Sequence, residues 1–168
     1  HKFKLYSDKV GSEYLASGAI KGNILNQFSM DEYEGYLRVA ASNGRVPDPN
    51  VDSTLSIVEE KDGELVTVGI VDDIAPGEDI RSVRFNGKTG FVVTFKKTDP
   101  LFTFDLSDPE NPIKKGELKI PGFSTYMHMI DDNHLLTIGF DAEDEGNFAL
   151  FQGILLQIFD VSDINNPV

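Results

Sequence analysis

One nine-residue phrase occurs twice in this chain. Phe104-Asp105-Leu106-Ser107-Asp108-Pro109-Glu110-Asn111-Pro112 is matched 55 residues later by Phe159-Asp160-Val161-Ser162-Asp163-Ile164-Asn165-Asn166-Pro167, with Phe, Asp, Ser, Asp, Asn and Pro in the same places. Upstream the copies stay in register. Residues 91–95 precede the first copy as residues 135–139 precede the second, and residues 36–40 hold the same place ahead of residues 54–58. Three copies of one unit are therefore visible, at a period longer than that of leucine-rich or ankyrin repeats and close to the roughly 40 to 55 residues of a sheet-sized unit.

Each unit reads as short strands separated by turn residues. In the best-defined copy, strands are predicted over residues 81–85, 90–96, 101–106 and 114–120. Asn86-Gly87-Lys88 makes a hairpin turn through its tolerance of positive φ, and Ser107-Asp108-Pro109 through Pro112 makes the next turn. Asp131-Asp132-Asn133 occupies the place of that first turn in the following unit. In the repeated phrase, Asp and Ser side chains can accept from backbone N–H groups two residues on, Pro109 presets φ, and Pro112 ends the ladder, so its role needs no ligand. Gly116 and Pro121-Gly122 are expected to carry the chain from an outer strand to the inner strand of the next sheet, as Ala75-Pro76-Gly77 does earlier. The runs are rich in Val, Ile, Phe and Thr and nearly continuously apolar at residues 91–95, which suits strands covered on both faces. Ser29-x-x-Glu32 resembles a capping box but runs into Gly35 rather than an apolar face, and is read as a turn.

The expected fold class is all-β: a segment of a β-propeller with four-stranded antiparallel blades. It amounts to about three blades, with a partial blade over residues 1–26, blades over 27–76 and 77–122, and a partial blade over 123–168. Fewer than four blades do not make a ring, so the expected partners include the remaining blades of a longer chain or a second copy that closes it. The chain begins at His1 with no charged-then-apolar leader, and it is read as a piece of a longer protein.

Composition narrows the partners. With 28 acidic and 15 basic residues the net charge is −13, so phosphate backbones and anionic membranes are repelled and nucleic acid is not an expected partner. The apolar runs are strand-sized, as at residues 154–159, and membrane insertion is not expected. The chain has no cysteine, which removes disulfides, thiolate nucleophiles and Cys-type metal sites without assigning a compartment.

The phrase Phe104–Pro112, followed by Gly116-Glu117-Leu118-Lys119-Ile120-Pro121-Gly122-Phe123, resembles the repeats of LVIVD-type β-propellers. The string Leu25-Asn26-Gln27-Phe28-Ser29-Met30-Asp31-Glu32-Tyr33 is similar to secreted bacterial and archaeal proteins carrying a C-terminal β-propeller distantly related to WD40 repeats. Ala75-Pro76-Gly77-Glu78, Ser82-Val83-Arg84-Phe85 and Thr98-Asp99-Pro100-Leu101-Phe102 add to the likeness, which runs from about Tyr14 to Val168. The resemblance implies an extracellular or cell-surface propeller, and it implies no reaction.

Motifs for phosphate loops, dinucleotide binding, zincins and acyl-enzymes do not occur. Gly122-Phe123-Ser124-Thr125-Tyr126 lacks the second glycine of a nucleophile elbow. His128, between Met127 and Met129 on a predicted inner strand, is either a structural histidine or a residue facing the central channel, where a ligand would sit. The acidic run 141–146 is read as a solvated loop. Its sharper reading is a weak calcium site through Asp141, Glu143 and Asp144, although it departs from the EF-hand pattern. Asp72-Asp73 with Glu78-Asp79 is read as a solubilising loop. Tyr33, Tyr36 and Tyr126 lie near turns, where they can rim a binding face.

The sequence reading is thus a non-enzymatic binding or interaction scaffold of an exported protein, with a protein or small molecule as ligand and no cofactor. The alternative is a cation-binding or hydrolytic propeller with acidic loop residues converging at the channel mouth. Calcium titration separates the two: the scaffold reading expects neither heat nor a shift in melting temperature.

Overall fold

The computed structural model describes residues 1–95, 99–120, 122–144 and 149–168. The described residues form thirteen strands in four antiparallel sheets. A hairpin of β1 (Lys2–Leu5) and β2 (Ser12–Ala16) comes first. The first four-stranded sheet orders β3 (Met30–Tyr33), β4 (Tyr36–Asn43), β5 (Asp52–Lys61) and β6 (Glu64–Ile74) as in the sequence. The second orders β7 (Asp79–Asn86), β8 (Thr89–Phe95), β9 (Asp99–Asp105) and β10 (Ile113–Ile120) in the same way. The third holds β11 (Phe123–Met129), β12 (His134–Asp144) and β13 (Ala149–Asp160). This is the all-β architecture that the repeat implied. The first strands of neighbouring sheets lie together, β7 packing on β11 and on a 3-10 turn at Gln27–Ser29. That turn ends at Ser29, and the rest of Ser29-x-x-Glu32, read from sequence as a turn, is instead the start of β3, because Met30, Asp31 and Glu32 pair with β4.

Strand alternation gives the second sheet two apolar faces. Val92, Phe102 and Phe104 pack with Ala40, Leu55, Ile57 and Ile74 of the first sheet. Phe91, Val93 and Leu101 pack with Met127, Leu135 and Phe159 of the third. Neighbours one residue apart on β8 and β9 thus join different sheets, and each such side chain contributes about 1.5–3 kcal/mol on burial.

Three local expectations are corrected. The β7–β8 turn has Gly87 and Lys88 at its centre, with positive φ at Gly87, while Asn86 pairs with Thr89 in the ladder. Residues 141–144 are not a loop but the end of β12, paired with β13, because β13 is long enough to extend the ladder. Asp72 and Asp73 likewise belong to β6.

The repeated phrase does more than turn the chain. Gly69 on β6 and Gly116 on β10 are both buried, and each follows a bulged residue, Val68 and Lys115. A Cβ on Gly69 would lie 2.1 Å from the carbonyl oxygen of Pro109 and 2.7 Å from Cδ of Pro112. A Cβ on Gly116 would lie 2.6 Å from the carbonyl oxygen of Ile164 and 2.8 Å from Cδ of Pro167. Each proline-containing turn is therefore seated in a glycine socket on the outer strand of the preceding sheet, and Gly116 serves this purpose rather than the passage between sheets. Thr103 Oγ1 donates to the Ile164 carbonyl and accepts from Gly116 N–H at 2.8 Å. The β1–β2 hairpin has the same bulge at Leu15, followed by Ala16. The turn that faces it is the two-residue Asp62-Gly63, so no proline has to fit and a methyl group is accommodated.

Carboxylates hold these turns. Asp105 accepts from the Ser107 hydroxyl at 2.6 Å and from its N–H at 3.0 Å, and Asp160 accepts from Ser162 N–H at 2.9 Å. Asp108 accepts from Asn111 at 2.9 Å and Asp163 from both Asn165 and Asn166 at 2.9 Å. These hydrogen bonds favour the charged form and lower all four carboxyl pKa values.

Gly69→Ala and Gly116→Ala should each destabilise the chain by about 1–3 kcal/mol in urea unfolding. Gly153→Ala, where an added Cβ meets nothing within 4 Å, should not. Because the folded pKa values lie below the unfolded ones, the carboxylates stabilise the fold above about pH 4, and this is lost as pH falls through the folded values. Asp105→Asn with Asp160→Asn should flatten the acid limb of a melting-temperature profile.

Candidate functional site

The inner strands meet around Arg84. Alternation on β7 sends Val83 into the core shared with the first sheet and Arg84 towards the third sheet. The Arg84 Nε donates to the Met127 carbonyl at 2.8 Å, and Nη2 reaches the same oxygen. Its guanidinium carbon lies 4.6 Å from the Phe28 ring centroid and 5.3 Å from that of Tyr126. Those rings meet edge-on, 5.5 Å apart at 75°. Phe28 is placed by the 3-10 turn, which Asn26 closes by accepting from Phe28 N–H at 2.9 Å. A cation between two rings is worth about 0.5–2 kcal/mol, more as water is excluded. The 3-10 turn ahead of the first sheet and the inner strands of the second and third sheets thus form one aromatic and cationic cluster.

His128 continues it. Its ring is exposed and lies parallel to Tyr126, with centroids 6.4 Å apart and planes at 10°. His134 is elsewhere, at the start of β12, with Nδ1 2.9 Å from both oxygens of Asp131. Tyr33 covers the guanidinium of Arg38 at 4.9 Å, and Tyr36 packs on the core between the first and second sheets. Ser124 is buried within β11 and does not stand on a strand-to-helix elbow.

Arg38 makes a second joint of the same kind. Its side chain is 2% exposed, pairs with Asp31 on β3 through Nε at 2.7 Å, donates to the Gly87 carbonyl of the second sheet, and is stacked on Phe85 at 5.0 Å.

Of the acidic candidates, Asp141 is half-buried on β12 opposite Gly153. Glu143 and Asp144 follow it in the ladder, and their side chains lie outside the described residues, as do residues 145–148. No group of three His, Asp or Glu side chains suited to a metal occurs among the described residues. Asp79 pairs with Arg81 at 3.0 Å and Asp52 with Lys21 at 3.0 Å. A groove of about 370 Å³ runs across the far face of the first sheet, lined by Ile20, Ile24, Met30, Leu37, Val39 and Val58 among others. Sequence reasoning singled out Tyr126 and His128 but missed Phe28 and Arg84, which come together only through sheet packing.

Arg38→Ala should cost about 2–3 kcal/mol, below the full penalty for a buried pair because Asp31 is one-third exposed. Arg84→Ala should cost about 1–2 kcal/mol, and Arg84→Lys less, as read by the urea midpoint.

Comparison with known proteins places this geometry in a family. A family model described as a beta propeller domain matches residues 1–168. An uncharacterized protein of Archaeoglobus fulgidus is 45% identical over 152 residues, covering 89% of this chain and 21% of the relative. An uncharacterized protein of Methanocaldococcus jannaschii is 43% identical over 155 residues, covering 91% of this chain and 23% of the relative. The chain spans about a fifth of the length of these curated relatives. Its repeated sheets, joined through their inner strands, are those of the family the match names: the chain belongs to the beta propeller domain family.

Proposed function

We propose that the chain is part of a non-enzymatic binding scaffold in an exported or cell-surface protein, and that its inner edge contributes to ligand contact. A beta propeller domain is in general a scaffold for interactions. The observation that carries the reading is the character of the inner edge. Phe28, Arg84 and Tyr126 stack there beside exposed Thr125 and His128. Aromatic rings and arginine are the groups that dominate protein interfaces, whereas a cation or hydrolytic site requires converging carboxylates. Export is carried over from the resemblance of the repeats to secreted propellers.

A photo-crosslinking residue, p-benzoylphenylalanine, replacing Thr125 or His128 in the protein as its gene encodes it, should yield a discrete adduct in cells. The same residue at Lys119, on the outer strand β10, should yield none. Adducts of equal strength at all three positions would sink the reading. A calcium-dependent rise in melting temperature that Asp141→Asn abolishes would favour the cation-binding alternative. Protease added to intact cells should cleave an exported protein and leave a cytoplasmic marker whole.

A further inference from the structure

Two guanidinium groups in this chain each lie against two aromatic rings, and they differ in one respect. Arg38 is 4.9 Å from the Tyr33 centroid and 5.0 Å from that of Phe85, and Arg84 is 4.6 Å from Phe28 and 5.3 Å from Tyr126. Arg38 has a counter-ion, since Nε and Nη2 close on the two oxygens of Asp31 while Nη1 donates to the Gly87 carbonyl. Arg81 is likewise paired, with Asp79 at 3.0 Å. Arg84 makes no ion pair among the described residues. Its Nε and one N–H of Nη2 go to the Met127 carbonyl, which leaves the second N–H of Nη2 and both of Nη1 without an acceptor there. In a chain of net charge −13, a half-buried cation is thus balanced only by rings and one carbonyl dipole.

Its neighbours add donors and no carboxylate. The Tyr126 ring that Arg84 touches also lies parallel to the ring of His128, 6.4 Å away, so the two cationic side-chain types share one aromatic platform. Neither the Tyr126 hydroxyl nor the exposed His128 ring has a hydrogen-bond partner among the described residues. The cluster is therefore rich in N–H and O–H groups and short of acceptors, which is the complement of an anionic oxygen. At the end of the planar guanidinium, Nη1 and Nη2 each present one parallel N–H, the fork that the two oxygens of a carboxylate match. A phosphate dianion calls for a second cation, and no other arginine or lysine stacks on Phe28 or Tyr126 among the described residues. The chain's net negative charge also weighs against each further charge on a ligand.

We propose, resting on the reading of the inner edge as a contact surface, that its ligand presents a carboxylate to the Nη1–Nη2 end of Arg84, with the ligand's body against Tyr126 and His128. The carboxylate supplies the counter-ion that Asp31 supplies to Arg38. The flanking rings keep water from the pair and so strengthen it.

Titration calorimetry on the protein with all the sequence its gene encodes tests this, with sodium benzoate as the probe. Benzoate should give saturable heat in roughly the millimolar range, and Arg84→Gln should weaken it by about tenfold, the loss of a charge-assisted pair. Arg84→Lys keeps the charge without the fork and should bind nearly as poorly, with a urea midpoint close to that of the wild type. Lys119→Gln, on the outer strand β10, should change nothing. Absence of saturable heat, wild-type affinity in Arg84→Gln or Arg84→Lys, or inorganic phosphate bound as tightly as benzoate would each overturn the proposal. Photo-crosslinking at Thr125 separates the sources of the carboxylate: adducts of protein mass that Arg84→Gln removes assign it to a partner protein, and benzoate heat without adducts assigns it to a free acid. Adducts that persist in Arg84→Gln, with no benzoate heat, sink the carboxylate and leave the scaffold reading standing.

Discussion

A sheet that is apolar on both faces cannot stand alone in water, and this constraint shapes the molecule. On β8 the side chain of Val92 turns to the first sheet while Phe91 and Val93 turn to the third. A single strand thus belongs to two cores, and the second sheet is held only because both neighbours are present. Hydrophobic burial drives this stacking but does not set the register of one sheet on another, because it has no direction.

Direction comes from two polar devices placed at opposite edges of the stack. At the inner edge, Arg38 and Arg84 each reach a carbonyl of the following sheet, which no shifted arrangement would satisfy. At the outer edge, the proline-containing turns settle onto Gly69 and Gly116, where a single methyl group would collide with backbone. The substitution of Ala16 at the corresponding bulge, opposite a two-residue turn, shows within one chain that glycine appears where the turn demands the space. Hydrogen-bonded carboxylates stiffen the turns, so the seated element keeps its shape.

The inner edge also gathers the aromatic and cationic groups on which the proposed binding role rests. Arg84 is held by the Met127 carbonyl and by the rings of Phe28 and Tyr126 together. The cluster therefore joins the inner strands of the second and third sheets to the turn ahead of the first, and it places the rings at their common edge. In the proposed binding role, such a surface would meet a partner at little entropic cost.

Much of the fold was legible from residue order. Strand alternation, Asn-Gly and Asp-Pro punctuation and the repeated phrase are local signals, since they act through the backbone of a few consecutive residues. Residues 141–144 of the acidic run were misread as loop because their strand state depends on pairing with β13, and Gly116 was misassigned because its crowding comes from Ile164 and Pro167, in the turn that follows β13. Phe28 and Arg84 lie in strings that carry the family resemblance, but nothing in residue order shows that they meet, being 56 residues apart and joined only by packing. The sequence by itself determined the repeating strands and their turns, because those follow from short-range sterics and hydrogen bonding. Only the tertiary structure decided which residues face a neighbour, a socket or solvent, because those contacts exist only after the sheets have stacked.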